Sequence, residues 1–179
     1  MSLGLRRDGH IVPFNQDARL FFNDPPVDVP YDIVFGDAFN DLSVPYHLTT
    51  AEFAGLVHRA LAPDGLYIVN IIDKFQTGQF LRAYMRGLKV HFPNVYLMSL
   101  GDSWRGNSQN TYVVVAAKGP LDLDAFRAAA TSGGRQMETA VLPQEELAAY
   151  LADGLQITLT DDYAPVDQLL APLFNERGF

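Results

Sequence analysis

Cysteine is absent from the 179 residues, which excludes disulfides, thiolate nucleophiles and thiolate metal centres. Basic residues are few: 13 Lys and Arg stand against 21 Asp and Glu, a formal net charge of -8, and the cations are scattered along the chain. That balance argues against a nucleic-acid partner, which needs a basic face, and favours cationic ligands. No apolar run approaches the roughly 20 residues of a membrane-spanning helix, and the amino terminus has no charged-then-apolar leader, so a cytoplasmic setting is expected. The four histidines, His10, His47, His58 and His91, have no close metal-ligand spacing, and no metal site is expected. What remains is 48% hydrophobic and 12% aromatic, enough for one sizeable core, and a single domain over 1–179 is expected.

The order of elements reads as α/β. Tyr31-Asp32-Ile33-Val34-Phe35 is an apolar run that stops at Gly36-Asp37, and a loop with Asn40 and Asp41 follows. A carboxylate at the carboxyl end of a buried parallel strand stands where open α/β sheets bind ligands. Thr49-Thr50-Ala51-Glu52 has the form of a capping box, and Phe53, Leu56, Val57, Ala60 and Leu61 follow at helical spacing up to Pro63-Asp64-Gly65. Leu66–Ile72 is a second buried strand, parallel to the first and closed by Asp73. Thr77 is placed to cap a helix with Phe80, Leu81, Tyr84, Met85 and Leu88 on one face.

Val95–Leu100 and Thr111–Ala117 then form an antiparallel hairpin expected at one edge, around a polar loop that carries Trp104. Helices are expected near Leu121–Ala130 and Pro143–Asp153, with Gly154 as a C-cap, then an alternating Leu155, Ile157, Leu159 segment and a last short helix. Near the amino end, His10–Phe14 is a weak strand and Gln16–Phe22 a brief helical turn ended by Pro25-Pro26.

The motifs Gln16-Asp17-Ala18-Arg19, Tyr31–Asp37, His47-Leu48-Thr49-Thr50 with Phe53, Leu61–Gly65 and the tail Leu159–Asp167 together resemble the spermidine synthase (polyamine aminopropyltransferase) family. The resemblance implies a partial Rossmann-like, class I methyltransferase-like sheet, mostly parallel with an antiparallel terminal hairpin and lacking the family's first two strands. The chain resembles the carboxyl-terminal part of such a domain, and some relatives are fused to a membrane region, so a membrane-attached longer parent is one expectation. By the resemblance the co-substrate is decarboxylated S-adenosylmethionine and the partner a polyamine, putrescine or spermidine. Asp37 matches the catalytic base; Asn40, Asp41, Asn70 and Tyr163 match amine-binding positions; Asp17 and Ala18 match the residues that meet the adenine. Asn40 stands where the family has a second aspartate, and no glycine-rich nucleoside turn precedes His10, so no cofactor is expected to be held firmly and the chain alone is expected to be inactive. A non-catalytic polyamine-binding or regulatory domain, or an S-adenosylmethionine-dependent methyltransferase-like module, are the alternatives. The outer edge of strand 31–36 is expected to be open and to be where a second copy forms a homodimer.

Each assignment has a plainer counterpart. Asp37 serves equally as a turn aspartate, Asp17 as a helix N-cap, His47 as a packing residue, Trp104 as cover for the core edge, and Asp161 and Asp162 as solvated loop charges.

Overall fold

The computed structural model describes residues 11–25, 30–38, 44–132 and 139–175. His10, Asn40 and Asp41 lie outside the described residues. The elements run α1 (Ala18–Asn23), β1 (Tyr31–Gly36), α2 (Ala51–Ala60), β2 (Leu61–Lys74), α3 (Phe80–Lys89), β3 (Asn94–Leu100), β4 (Gln109–Ala117), α4 (Leu123–Ser132), β5 (Thr139–Val141), α5 (Gln144–Ala152) and α6 (Val166–Asn175). The five strands form one sheet in the order β1-β2-β4-β3-β5.

β1 and β2 are parallel neighbours joined through α2, with Ile33 opposite Leu66 and Gly36 opposite Val69. β4 runs antiparallel to both β2 and β3, and β5 antiparallel to β3. β1, β2 and β3 therefore share one direction, while only one of the four pairings is itself parallel. The α/β Rossmann-like class stands, in a mixed sheet. The hairpin is not at the edge: β4 sits in the middle and the unforeseen β5 covers β3. With only three residues, Thr139–Val141, β5 is too short to carry a strand pattern in the sequence.

The two sheet faces differ. Tyr67, Val69 and Ile71 of β2, with Leu97, Tyr112 and Val114, pack under α2, α3, α5 and α6 in the main core. The opposite face meets Leu121 and Leu123 at the start of α4, leaving an open cavity of about 500 Å³ walled by Leu66, Ile68, Met98, Val113, Val115 and Phe126. On the same face, at the β1 edge, Ile33 and Phe35 are 47% and 70% exposed. Trp104 is buried in the main core.

The helix caps depart from expectation. Thr50, one residue later than the capping box implies, is the N-cap of α2 and its Oγ1 accepts from Phe53 N at 3.2 Å. Glu52 instead accepts from the backbone of Asp161 at 3.0 Å, and Leu159 O accepts from Ala51 N at 2.8 Å, so the tail is docked on the start of α2. Thr77 does not cap α3; its hydroxyl donates to Asn107. The N-cap residue is Gln79, which makes no side-chain cap bond; the first-turn acceptor is instead Asp73, fully buried at the end of β2, whose Oδ2 accepts from Leu81 N and Oδ1 from Lys74 N, both at 2.8 Å. The C-cap of α5 is Asp153, one residue before the expected Gly154, which follows it with φ +72.

Burial pushes the Asp73 carboxyl up to about 6, against the two backbone donors. A carboxyl raised in the folded state stabilises it fully below the unfolded value of 3.8, and that contribution is lost as pH rises through about 6. Raising the carboxyl from 3.8 to about 6 corresponds to roughly 3 kcal/mol at the limit. Urea unfolding at pH 4, 5, 6 and 7 is expected to show this loss in the parent and not in Asp73→Asn. Parallel pH profiles for the two proteins would refute it.

Candidate functional site

At the carboxyl end of β1 a cavity of about 250 Å³ opens between the sheet and α1. Its floor and walls include Val34, Gly36, Asp37 and Tyr67, closed laterally by Ala18 and Phe22 of α1 and by Leu48 and Phe53 at the start of α2. β1 delivers Asp37 because the strand stops at Gly36, and the exposed carboxylate stands at the mouth above an apolar interior. Phe22 and Phe53 meet edge to face with ring centres 6.0 Å apart, which holds α1 on α2 through aromatic packing.

Asp17 lies one residue before the cavity wall. Its Oδ1 caps α1 by accepting from Arg19 N at 2.8 Å and Leu20 N at 3.3 Å, and its Oδ2 meets His47 Nε2 at 2.8 Å. The His47 hydrogen bond is the main reason the Asp17 carboxyl lies below its ordinary value. Asp17 is thus the N-cap, and His47 is its partner and not only a packing group.

Arg19 reaches the other way. Its guanidinium donates to His47 O at 2.8 Å, to Thr50 Oγ1 at 3.2 Å, and to both carboxylate oxygens of Asp161. The pairing holds Asp161 below the usual carboxylate range. Asp161 is therefore not a free solvated charge, which corrects the sequence expectation; nothing in its local sequence pointed to a partner 142 residues away.

The structure brings Ala18 and Asp37 to one cavity, with Asp17 at its border. Tyr163 is elsewhere, in a polar cavity of about 570 Å³ with Val44, Tyr46, Asp162, Asp167 and Gln168. Asn70 is exposed on β2 and alternates with Val69 and Ile71, so it belongs to the open sheet face and not to the Asp37 cavity. Sequence reasoning missed Tyr67. Its hydroxyl lies against Gly36 and takes a hydrogen bond from Tyr84 at 3.3 Å, and an apolar strand position gave no signal for it. Among the described residues no group of three or more His, Asp or Glu side chains is placed to hold a metal ion, and no helix is long and apolar enough to cross a membrane.

No protein-family profile and no curated protein matches the chain. Solved structures do. A probable spermidine synthase from Corynebacterium glutamicum superimposes with a TM-score of 0.66 at 19% identity, over 84% of this chain and 54% of that one. A spermidine synthase from Thermotoga maritima (TM-score 0.46, 15% identity, 87% and 47% covered) and MNMC2 from Aquifex aeolicus (0.47, 16%, 92% and 44%) overlap more loosely. The chain spans about half the length of these proteins, and over that span its strands and helices follow the spermidine synthase fold.

Proposed function

We propose that the cavity at the end of β1 is the nucleoside and amine site of an aminopropyltransferase-like domain, with Asp37 as its base. The observation that carries the reading is that Ala18 and Asp37, matched by sequence to the adenine and the attacking amine respectively, wall the same cavity from two different elements, α1 and the end of β1. In the implied reaction the amine nitrogen attacks the methylene carbon beside the sulfonium, the N–C bond forms, the C–S bond breaks, and sulfur leaves as a neutral thioether nucleoside. Asp37 takes the proton that the ammonium must lose first.

The cavity sets the limits of the reading. About 250 Å³ is below the usual 300–1,000 Å³ of a complete small-molecule site, so it fits a heterocycle and not nucleoside and polyamine together. The chain alone is therefore expected to bind 5′-methylthioadenosine weakly, in the high-micromolar to millimolar range (about −4 to −6 kcal/mol), and not to transfer aminopropyl groups. Ala18→Phe, which fills the cavity from α1, should abolish nucleoside binding. Asp37→Asn should leave it within about twofold while weakening spermidine. Calorimetric titration of the three proteins decides the matter: saturable nucleoside heat that survives Ala18→Phe defeats the assignment. Turnover by the purified chain, lost in Asp37→Asn, defeats the binding-only limit.

A second reading, polyamine binding without catalysis, is favoured by the other cavity, where two exposed tyrosines, Tyr46 and Tyr163, stand with Asp162 and Asp167. Aromatic faces and carboxylates together suit an alkylammonium chain. A second copy of the chain along the free edge of β1 belongs to the same proposal, since Ile33 and Phe35 are exposed beside that edge.

A further inference from the structure

We infer that Tyr67 selects the ligand of the β1 cavity: its hydroxyl, oriented by Tyr84, donates a hydrogen bond to an acceptor nitrogen on the heterocycle that enters. The inference deepens the nucleoside reading and rests on it.

The geometry begins at Gly36. A Cβ at that position would stand 2.9 Å from Tyr67 Oη, 3.0 Å from its ring Cε2 and 3.0 Å from Val69 Cγ2. Tyr67 Oη therefore occupies the space that a side chain at 36 would fill, directly beneath the strand end that carries Asp37. Only glycine there leaves the hydroxyl at the cavity wall, and Tyr67 is indeed among the lining residues.

Proton direction follows from burial. Tyr67 and Tyr84 are 3% and 2% exposed, and their hydroxyl oxygens are 3.3 Å apart. One proton serves the bond between them and one is left over. If Tyr67 gave its proton to Tyr84, the spare proton would sit on Tyr84, which does not line the cavity, and would lose its water partner for nothing. With Tyr84 as donor, the spare proton sits on Tyr67, the one of the two tyrosines that lines the cavity. Among the described residues no acceptor takes it. Burial pushes the Tyr67 hydroxyl up to about 12, so it remains a donor across the physiological range.

The surroundings fix the class of acceptor. Phe22, Phe53, Leu48 and Val34 make the interior apolar, so a flat ring with edge acceptors fits and a charged or fully hydroxylated group does not. An unmet donor in such a wall discriminates strongly, because a ligand lacking the acceptor leaves it buried and unpaired.

The test compares adenosine with its 1-deaza, 3-deaza and 7-deaza analogues by calorimetry, on the parent, Tyr67→Phe and Tyr84→Phe. Both variants delete the same tyrosine–tyrosine bond, so they share its structural cost, which thermal melts will show. Only Tyr67→Phe removes the donor at the cavity. We expect Tyr67→Phe to weaken adenosine about tenfold, Tyr84→Phe to weaken it clearly less, and one deaza analogue to bind the parent about tenfold more weakly while ignoring Tyr67→Phe. Equal losses in the two variants, or a Tyr67→Phe loss shared by all four ligands, would reduce Tyr67 to a packing residue and overturn the inference. Saturable adenosine binding unchanged by Tyr67→Phe overturns it alone. Absence of binding by the parent overturns the nucleoside reading, and the inference falls with it.

Discussion

Gly78→Ala is expected to lower the unfolding free energy by about 3 kcal/mol or more, and the melting temperature by roughly 10 °C. A Cβ at this position would lie 2.0 Å from Asp73 Oδ1, 2.3 Å from Asp73 Cγ and 2.4 Å from Lys74 O, none of which is the free end of a flexible side chain. The carboxylate is fixed by its two backbone donors and is fully buried, so the methyl group enters only by expelling the acceptor that serves the first turn of α3. That leaves buried N–H groups unpaired in addition to the steric cost. Gly119→Ala is the control, since its Cβ would meet only Asp64 Oδ1 at 3.7 Å. Urea titration of the two variants measures the difference, and a Gly78→Ala protein within about 1 kcal/mol of the parent would show that the β2–α3 turn is not rigid.

Arg82→Met is expected to cost about 2–4 kcal/mol. The Arg82 side chain is 3% exposed and lies on α3, four residues past Gly78. Its guanidinium donates to Tyr150 O at 3.2 Å, to Gln76 O at 3.1 Å and to Gly78 O, so it closes the carbonyls of the same turn while holding α5. The planar group also lies over the Tyr150 ring at 4.0 Å, and that ring stacks on Phe75 at 4.2 Å and 11°. Methionine keeps the stem length and supplies no donor. Lysine, a point charge without the fork, should recover less than half of the loss. Denaturant midpoints for the three proteins test the account; a loss below about 1 kcal/mol for Arg82→Met would mean that water replaces the guanidinium.

Local patterns in the chain told most of the fold and only part of the site. β1, α2 and the body of β2 were legible as an apolar run, a helical repeat and a second apolar run, but Pro63-Asp64-Gly65 is not the expected turn: β2 starts at Leu61, directly after α2, and runs through it with a register shift against β1. The parallel pairing followed from that order. The central place of β4 did not, because the hydrophobic pattern of a hairpin does not say which of its strands meets the rest of the sheet. At the site, Asp37 and Ala18 were reached by motif resemblance alone, and the structure places both on one cavity. Asp73 was legible as a strand-closing aspartate but not as the distant first-turn acceptor of α3, since the acceptor lies eight residues before its donor Leu81. Arg19 with Asp161 and Tyr67 with Gly36 escaped altogether: each is a contact between residues whose own surroundings are unremarkable in sequence.

The lashing of α1 to the tail also bears on the order of assembly. α1 has six residues and none of them is buried, too short to hold as a helix without support. It is held by Phe22 on Phe53 and by Arg19 on His47 O and Thr50 Oγ1, 28 to 31 residues on, while the bond from Arg19 to Asp161 closes a loop of 142 residues that includes the whole sheet and α2 through α5. Such a closure loses the most chain entropy when it is made early and the least once the intervening elements have already drawn the ends together. The tie between α1 and the tail is consequently expected to close last, on a sheet that is already formed, whereas the wall that α1 makes with α2 needs only contacts of short separation.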